Sequence, residues 1–373
     1  MSVTEKINLL DLNRAGLEAF FIAHGEKAFR ARQLMQWVHQ RGVLDFEQMT
    51  DMSKELRLFM AEHCQLKLPK IIDAQRSSDG TRKWLIEVDG SENAVECVLI
   101  PEKARMTLCI SSQVGCTLNC SFCSTAKQGF NRNLTTAEII AQLYLAHHSL
   151  VAEGFEQGVT NVVMMGMGEP LLNFDAVIAA VDMMCDDYAY SLRKRRVTIS
   201  TAGVVPAMLK LDQVTDVALA VSLHAPNDEL RDQLVPLNSK YPISELLAAC
   251  HSYIDGYKRR KITFEYVMLK GVNDSIEHAR QLVGLLKGIP CKLNLIPFNP
   301  YPHAIYECSE PADIDKFREY TSSKGVVTMT RRARGEDIDA ACGQLVGAFR
   351  DRSRRSQKYQ LSLKDIPGVS LAH

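Results

Sequence analysis

Short apolar runs and longer amphipathic segments alternate along most of the chain. Between residues 106 and 350, runs rich in Val, Ile and Leu have the length of buried strands, and the segments between them have helical spacing. The predicted strands are 106–110, 159–165, 196–200, 216–223, 262–269, 292–296 and 326–330. The predicted helices are 135–152, which a capping box begins, 174–185, 227–235, 243–256, 275–287 and 312–323. About six βα units of this kind predict an α/β fold, a partial (β/α)6 barrel.

The segments on either side of this region have other patterns. In residues 1–68 apolar residues such as Leu17, Phe21 and Trp37 recur at helical spacing, which predicts a small all-helical domain with one helix over 46–62. By itself this domain could bind nucleic acid, bind protein or only pack.

Residues 69–105 contain a strand over 81–88, the turn-forming pair Asp89-Gly90 and a returning strand over 94–100. This pattern predicts a linking β-hairpin. Residues 351–373 are polar, and we expect them to form a loose tail.

The composition is that of an ordinary soluble globular protein. Of the 373 residues, 46% are hydrophobic and 24% are charged. No run of about 18 apolar residues occurs, so we expect no transmembrane helix. The first residues lack the basic and then apolar pattern of a secretory signal. Eleven cysteines, an odd number spread along the chain, indicate a reducing compartment, so we expect a cytoplasmic protein.

The charge pattern leaves two interpretations open. Net charge is zero, so bulk charge predicts no nucleic-acid partner. Four basic runs nevertheless stand on this neutral background, at 193–196, 258–261, 331–334 and 350–358. Such runs can follow a phosphate backbone, although any one of them could equally be a solvated helix end or loop. Four in one chain favour an RNA or DNA partner.

Three cysteines lie close together in a loop after the first predicted strand of the barrel. Cys116, Cys120 and Cys123 are spaced i, i+4 and i+7, and Gly115 and Asn119 disfavour a regular helix there. Thiolates bind iron–sulfur clusters, zinc or copper. A four-iron cluster held by three cysteines keeps one iron open for a substrate or cofactor, whereas structural zinc requires four ligands. A zinc site and plain core packing are the alternatives.

Glycine and polar residues follow several predicted strands at their carboxyl ends, where barrel enzymes place their chemistry. These positions are Gly168 and Glu169, Ser200, then Ser222, Leu223 and His224, and Asn299. Gly168 permits a ligand to approach the backbone closely, and Glu169 could accept a hydrogen bond from an ammonium group. From the residues alone, turns, caps and satisfied polar contacts explain these positions as well.

Three further residues have ordinary interpretations of their own. Cys342 would usually be a small buried hydrophobe, and Cys109 would usually pack in the core. Glu96 lies on the strand face opposite Val95 and Cys97 and would usually be a surface residue. Because Cys109 precedes the cysteine loop and Cys342 follows the last strand, the two thiols could lie near the same mouth of the barrel.

The cysteine triad, with Phe122 directly before its third cysteine, resembles the radical S-adenosylmethionine (SAM) superfamily. The motifs after it are more specific. They are Gly-Met-Gly-Glu-Pro at 166–170, Ser-Thr-Ala-Gly at 200–203, Ser-Leu-His-Ala at 222–225, Pro-Phe-Asn-Pro at 297–300 and Ala-Cys-Gly at 341–343. Their order resembles that of the RlmN family of RNA adenine C2-methyltransferases. The resemblance runs from the front helical domain to about residue 350, nearly the whole chain.

This resemblance implies a radical SAM barrel and a role for each candidate residue. The ligands of one [4Fe-4S] cluster would be Cys116, Cys120 and Cys123. The SAM contacts would be Gly168, Glu169, Ser200, Ser222, Leu223, His224 and Asn299. Cys342 would carry the methyl group, and Cys109 would later pair with it in a disulfide. Glu96 would accept the C2 proton, a task that Cys109 could also perform.

The implied activity is methylation of C2 of one adenosine in 23S rRNA, at the peptidyl-transferase centre, and of the adenosine next to the anticodon in some tRNAs. One SAM methylates Cys342. A second SAM yields a deoxyadenosyl radical that removes hydrogen from the S-methyl group, whose methylene radical then adds to C2. Residues 1–68 would help to bind RNA, and 106–350 would be the radical SAM core. A flavodoxin-type electron donor and a monomeric state are also expected.

Three alternatives remain open at this point. Cfr-type enzymes methylate C8 of the same rRNA adenosine and share much of this pattern. A radical SAM activase acting on a protein is a second alternative, although the basic runs and the lack of further cysteine clusters after the barrel weigh against it. A zinc-stabilised RNA-binding protein without catalysis is the third, and about four irons per chain would exclude it.

Overall fold

The computed structural model describes residues 6–88, 92–256 and 260–364. Its first domain contains three α-helices and one pair of short strands. Its elements are β1 (Ile7–Asn8), α1 (Arg14–Ala23), α2 (Arg30–Met35), α3 (Lys54–His63) and β2 (Cys64–Gln65). The helices confirm the prediction for this region. The domain is not all helical, however, because β1 and β2 pair in parallel and tie the start of the domain to its end.

The single helix predicted over 46–62 is two elements. A 3₁₀ turn at Phe46–Gln48 comes first, and α3 begins only at Lys54. The side chain of Ser53 explains the break, because its hydroxyl oxygen accepts a hydrogen bond from the Leu56 N–H at 3.2 Å and so caps a new helix.

Four antiparallel strands connect the first domain to the barrel: β3 (Lys70–Arg76), β4 (Arg82–Glu87), β5 (Ala94–Glu102) and β6 (Arg105–Cys109). The predicted hairpin corresponds to β4 and β5, and its predicted turn at Asp89-Gly90 lies outside the described residues. The hydrophobic pattern does not predict β3, because every residue of this strand is exposed and the alternation of a half-buried strand is missing.

The barrel follows as alternating strands and helices. After β6 the elements are β7 (Gln113–Gly115), α4 (Ser124–Gln128), β8 (Phe130–Asn133), α5 (Thr136–Ala152), β9 (Asn161–Met164), α6 (Phe174–Cys185), β10 (Val197–Thr201), α7 (Val205–Val214), β11 (Ala218–Ser222), α8 (Asp228–Leu234), α9 (Ile243–Ile254), β12 (Ile262–Met268), α10 (Ile276–Leu285), β13 (Cys291–Pro297), α11 (Pro311–Ser323) and β14 (Val327–Thr330). Strands β6 and β9 to β14 are parallel neighbours in chain order, with helices between them. The predicted partial barrel of six βα units is confirmed.

The strand extension and the barrel share one sheet. In the described part of the chain this sheet has ten strands in the order β14-β13-β12-β11-β10-β9-β6-β5-β4-β3. Strand β6 is the junction, because Cys109 lies opposite Val98 of β5 on one side and Val163 of β9 on the other. Residues 69–105 therefore continue the barrel wall instead of forming a separate linker.

Polar contacts join the first domain to the barrel helices. The Asp11 carboxylate accepts a hydrogen bond from the Ala137 N–H at 2.8 Å, near the start of α5. Further along the same helix, Tyr144 donates its hydroxyl hydrogen to the Gly42 carbonyl, also at 2.8 Å. The predicted capping box that begins α5 is present. The first domain is therefore attached to the first half of one barrel helix.

The carboxyl-terminal segment contains a helix, α12 (Arg355–Lys364), where the sequence predicts a loose polar tail over 351–373. Asp351 holds its start, since the carboxylate accepts hydrogen bonds from the N–H groups of Phe130, Ser353 and Ser356. Apolar patterning gives no sign of this helix, because polar side chains make the contacts. No helix in the described part of the chain has the length and apolar character needed to cross a membrane.

Candidate active site

A cavity opens at the carboxyl ends of the parallel strands, as expected for a barrel enzyme. It contains about 970 Å³ of empty space, including its open mouth. The predicted site residues that line it are Cys116, Cys120, Cys123, Gly168, Glu169, Ser200, Ser222, His224, Asn299 and Cys342. We call this space the upper cavity. Residues predicted at six separate points of the sequence therefore meet in one place.

The cysteine loop is held by backbone geometry that only glycine permits. Gly115 has φ +78°, and a Cβ there would collide with the carbonyl oxygen of Gly129. That same carbonyl accepts a hydrogen bond from the Cys116 N–H at 2.7 Å. Burial, and then the neighbouring thiols, raise the pKa of Cys116 well above its ordinary value and that of Cys120 to about 12. Three thiols are therefore gathered where a thiolate is stable only beside a cation.

This donor set fits an iron–sulfur cluster better than a zinc ion. Among the described residues, no three Cys, His, Asp or Glu side chains converge on a position for one metal ion. A structural zinc needs four such ligands around one point. Cysteine ligands of a four-iron cluster bind different irons and need not converge. Cys109, the nearest other cysteine in sequence, does not line the upper cavity.

Glu169 presents a buried carboxyl group at the end of β9. Its two oxygens accept hydrogen bonds from the N–H groups of Leu171 at 3.1 Å and Ala202 at 2.8 Å. Burial is the largest influence on its pKa, which is raised to about 7, while these hydrogen bonds oppose the rise. Gly168 has φ +101°, and a Cβ there would collide with Gln113. The chain needs glycine beside this carboxyl group.

His224 is held in one orientation and one tautomer. Its backbone has φ +61°, and its Nδ1 accepts a hydrogen bond from the Val267 N–H at 3.0 Å. Burial, and then the charge of Arg231, lower its pKa to about 3, so the ring is neutral. With Nδ1 used as an acceptor, Nε2 carries the proton and is a hydrogen-bond donor. Phe122 packs against this ring with centroids 4.7 Å apart.

Leu223 takes a different position from its neighbours. It is fully buried and does not line the upper cavity. Its carbonyl accepts a hydrogen bond from Arg231 Nε at 3.1 Å, and the same guanidinium also binds the carbonyls of Ala202 and Ser222. Arg231 thus holds two strand ends together from a buried site. Sequence patterning does not reveal it, because a helical arginine is usually exposed.

The two remaining cysteines meet in an adjoining cavity. Cys109 and Cys342 both line this space, which we call the cysteine cavity, together with Val98 and Ile100 of β5. Burial raises the pKa of Cys109 to about 12, with the nearby Cys342 thiol as the second cause. The expectation that these two thiols lie near the same mouth is confirmed. All cysteines of the chain are free thiols in the structure, and the disulfide stays a prediction.

Comparisons with known proteins cover nearly the whole chain. Residues 7–66 match the family model described as the ribosomal RNA large subunit methyltransferase N-terminal domain, and residues 110–283 match the radical SAM superfamily. The chain is 57% identical over 357 residues to the dual-specificity RNA methyltransferase RlmN of Marinobacter nauticus, covering 95% of this chain and 96% of the relative. The chain belongs to the RlmN family.

Two other relatives agree with this membership. The RlmN protein of Alkalilimnicola ehrlichii is 57% identical over 352 residues, which is 94% of this chain and 97% of that protein. The crystal structure of a radical SAM methyltransferase from Sphaerobacter thermophilus superposes with a TM-score of 0.84 at 42% identity, covering 91% of this chain and 99% of the other. The RlmN-family chain therefore has the radical SAM fold.

Glu96 lies at neither cavity of this RlmN-family chain. It is buried, so its interpretation as a surface residue is wrong. Its carboxylate lies 3.3 Å from Lys83 Nζ and accepts a hydrogen bond from the Val346 N–H at 2.7 Å. Burial raises its pKa, and these contacts oppose the rise. Glu96 thus anchors the segment that follows Cys342, on the strand whose Val98 lines the cysteine cavity.

Arg331 is a second site residue whose role the sequence does not reveal. The basic run 331–334 is predicted to face phosphates or solvent, but Arg331 Nη1 donates a hydrogen bond to Cys342 Sγ at 3.3 Å. Alternation along β14 indicates only that Met329 and Arg331 fall on one face of the strand, and it does not show that Arg331 reaches Cys342. Of the basic run 258–261, the first two residues lie outside the described part of the chain.

Proposed function

We propose that this chain methylates C2 of an adenosine in large-subunit ribosomal RNA and in some tRNAs, through a methylated Cys342. The observation that carries the proposal is the meeting of Cys109 and Cys342 in a cavity that adjoins the one lined by the cysteine triad. The relatives named above are dual-specificity RNA methyltransferases. Transfer of a methyl group to an electron-poor carbon requires a radical route. A site that combines a cluster-binding cysteine triad with two nearby thiols suits such a route.

The upper cavity would hold both cofactors. Cys116, Cys120 and Cys123 would bind a [4Fe-4S] cluster, which supplies the electron that cleaves SAM. The SAM contacts would be Gly168, Glu169, Ser200, Ser222, His224 and Asn299, with Leu223 acting through the backbone that Arg231 fixes. His224 would offer a donor at Nε2, and the carboxylate of Glu169 an acceptor for an ammonium group.

The two thiols would work in sequence. Cys342 accepts the methyl group and becomes covalently bonded to RNA through its former methyl carbon. Cys109, as a thiolate, would then attack Cys342 sulfur to form a disulfide. The bond from Cys342 sulfur to that carbon would break, and the carbon would keep the electron pair and take up a proton to become the methyl group. The C2 proton needs an acceptor near this place. Cys109 lines the cysteine cavity and Glu96 does not, which favours Cys109 for the proton and leaves Glu96 to anchor the loop.

RNA would approach from the amino-terminal side of the barrel. A groove there, which we call the lower groove, is lined by basic residues from strands and from the segments next to them, including Arg105, Arg195, Lys261, Lys292, Arg332 and Arg334, against the acidic Glu102 and Asp216. It meets the cysteine cavity at Ile100 and Val163. A basic groove that ends at the reacting thiols suits a phosphate backbone whose base is turned inward. An RNA-binding role for residues 1–68, a flavodoxin-type donor, a monomeric state and a cytoplasmic location belong to the same proposal.

The test is anaerobic and uses the full chain. The protein is reconstituted with iron and sulfide, which should give about four irons per chain, and then receives methyl-labelled SAM, a reductant and a large-subunit rRNA fragment. Mass spectrometry locates the label. Label on Cys342 and at adenine C2 supports the proposal, whereas label at C8 would make the chain Cfr-like. Deoxyadenosine without labelled RNA would contradict the proposed substrate.

A further inference from the structure

Arg331 stands where three spaces meet. Among the described residues, it alone lines the upper cavity, the cysteine cavity and the lower groove. Its backbone continues β14, because the Arg331 N–H donates a hydrogen bond to the Leu295 carbonyl at 2.8 Å. The guanidinium is therefore held by the sheet at the point where methyl donor, reacting thiols and RNA would come together.

The guanidinium contacts the sulfur that would accept the methyl group. Arg331 Nη1 lies 3.3 Å from Cys342 Sγ and 3.6 Å from Met165 Sδ. A thiolate, and not a thiol, is the nucleophile in sulfur chemistry, and a neighbouring cation stabilises it. The Cys342 charge is also the largest cause that raises the pKa of Arg331, with Glu265 and Cys109 adding to it.

Glu265 completes the arrangement from β12. Its Oε1 accepts a hydrogen bond from Asn294 Nδ2 at 2.9 Å, while its Oε2 has no hydrogen-bond partner and lies 3.9 Å from Arg331 Nη1. The side chain is only 4% exposed and lines the upper cavity. A buried carboxylate oxygen without a hydrogen bond is costly and calls for an explanation. Apart from Glu265, the groups whose charges raise the pKa of Arg331 are Cys342, Cys109 and, with a smaller effect, Glu102.

We propose that Arg331 is a catalytic residue that holds the Cys342 thiolate for methyl transfer, and that Glu265 is a positioning residue that balances the charge of Arg331. This inference rests on the proposed function. In the step concerned, a bond forms between Cys342 Sγ and the methyl carbon, and the bond from that carbon to the sulfonium sulfur breaks. The electron pair of the broken bond stays on the sulfur of S-adenosylhomocysteine. The thiol proton has already left to solvent.

Charge counting explains why both partners are needed. A thiolate, a guanidinium and a carboxylate together carry one negative charge, which attracts the positive sulfonium. After transfer the thioether is neutral, and Arg331 and Glu265 remain as a balanced pair. Without the Glu265 charge the two remaining groups, the thiolate and the guanidinium, would have no net charge and no net attraction for the sulfonium. The thiolate would also be held more tightly, and a more stabilised thiolate is a weaker nucleophile.

Two measurements on the cluster-loaded full chain test this, starting from protein whose Cys342 carries no methyl group. The first follows methyl transfer from labelled SAM to Cys342 without reductant or RNA, by peptide mass spectrometry. The second follows alkylation of Cys342 by iodoacetamide against pH, without SAM. The variants are Arg331→Gln, Arg331→Lys and Glu265→Gln. Arg318→Gln is the matched control, because that arginine makes an ion pair with Asp315 on α11.

The two charged residues should have opposite effects on alkylation. Arg331→Gln should raise its pH midpoint by roughly one unit or more and slow methyl transfer about tenfold or more, since an opposite charge at this range shifts a titration by about 1–3 units. Arg331→Lys should restore part of the shift in the alkylation midpoint and part of the loss in the rate of methyl transfer. Glu265→Gln should lower the midpoint and yet slow methyl transfer. A merely structural role would not produce this opposite pair of shifts.

Other results would overturn the inference. Arg331→Gln with the wild-type midpoint and rate would do so, as would Glu265→Gln moving the midpoint in the same direction as Arg331→Gln. Should Arg331→Gln fail to fold, the isosteric Glu265→Gln still decides by the sign of its shift. If the unaltered protein transfers no methyl group to Cys342, the proposed function itself fails, and this result is distinct from the others.

Discussion

Asn299 Nδ2 lies 3.1 Å from the carbonyl oxygen of Cys342 and donates a hydrogen bond to it. Asn299 follows β13, and its side chain lines both the upper cavity and the cysteine cavity. One amide group therefore joins the proposed SAM site to the backbone of the proposed methyl carrier. A molecule that binds this amide group would also affect where Cys342 sits.

Replacing this amide should weaken two processes together. We expect Asn299→Ala to reduce SAM affinity and the rate of Cys342 methylation about fivefold each, the equivalent of about 1 kcal/mol for one lost hydrogen bond. Calorimetric titration with SAM and peptide mass spectrometry measure the two effects. Asn8→Ala is the control, because it also removes a side-chain bond to a carbonyl, that of Lys67, in the first domain. Unchanged affinity in Asn299→Ala would remove Asn299 from the SAM site.

Removing Cys109 should stop the reaction after RNA has become attached. In Cys109→Ala no second thiol can attack Cys342 sulfur, so RNA should accumulate in a covalent complex with Cys342. Denaturing gel electrophoresis after incubation with SAM, reductant and RNA detects this complex, and Cys342→Ala should give neither complex nor methylated RNA. Cys291→Ala, at the start of β13 outside both cavities, should behave as the unaltered chain. Free methylated RNA at a normal rate from Cys109→Ala would sink the scheme.

Arg355 should matter for retention of the cluster. From α12 it donates hydrogen bonds to the carbonyls of Cys116, Thr117, Leu118 and Ala126, all in or beside the cysteine loop. Charge-assisted hydrogen bonds are worth about 1.5–3 kcal/mol when buried, and less here because Arg355 is partly exposed.

We therefore expect Arg355→Ala to lose iron several times faster than the unaltered protein on exposure to a chelator. Iron release is followed by the loss of visible absorbance. The neighbouring Arg352→Ala is the control, since that side chain is exposed. Equal rates for the two variants would mean that α12 does not support the cysteine loop.

Acid should loosen the contact between the first domain and the barrel. His39 is buried there, its Nδ1 lies 3.2 Å from the Tyr190 hydroxyl, and burial followed by the charge of His148 lowers its pKa to about 3. The unfolded chain takes up a proton near pH 6.5, while the folded chain does not until about pH 3. The unfolded state thus binds more protons in this window, and the free energy of unfolding falls as pH falls.

The expected slope is about 1.4 kcal/mol per pH unit below pH 6 for this one histidine. Urea unfolding at several pH values measures it. His39→Phe should reduce the slope by about this amount, because other buried histidines such as His224 still contribute, whereas the control His63→Phe replaces a half-exposed residue on α3 and should leave the slope unchanged. A curve of the same slope in His39→Phe would assign the acid sensitivity to other groups.

Binding to RNA should depend on salt through the lower groove. We expect the logarithm of the RNA binding constant to fall linearly with the logarithm of salt concentration. Replacing exposed Arg195 or Arg332 by Ala should each reduce the magnitude of this slope by about one. Fluorescence anisotropy with a labelled rRNA fragment measures both, and Arg318→Ala, outside the groove, is the control. A flat salt dependence would contradict a phosphate path along this groove.

The barrel was predictable because its apolar residues are strictly patterned. Strands such as β11 consist almost wholly of apolar residues, and the ends of the strands place Gly168, Ser222 and Asn299 in one cavity. The cysteine triad can be recognised from its residue type and spacing alone. These features depend on local sequence, so periodicity and motif reading recover them.

The parts that were missed depend on partners distant in sequence. Arg331 and Glu265 come within 3.9 Å of each other from β14 and β12, which are separated by β13, and Arg355 contacts a loop more than 200 residues away. No local pattern reports such pairs. Glu96 is similar, since its burial comes from a loop near Val346 that packs over β5. Strand β3 was missed for another reason: only its backbone is paired, and its exposed side chains carry no period.

Strand β6 is hydrogen-bonded to a strand on each side, and this gives Cys109 and Cys342 different freedom of movement. Cys109 lies in the interior of a hydrogen-bonded sheet, opposite Val98 and Val163, so its backbone is fixed and its sulfur can move little. Cys342 is attached to irregular backbone after β14. The proposed methyl carrier must contact a methyl donor, then a nucleobase and finally another sulfur. Its sulfur therefore has to change position between these steps. In the proposed scheme, Cys342 therefore moves between these partners and Cys109 stays in place.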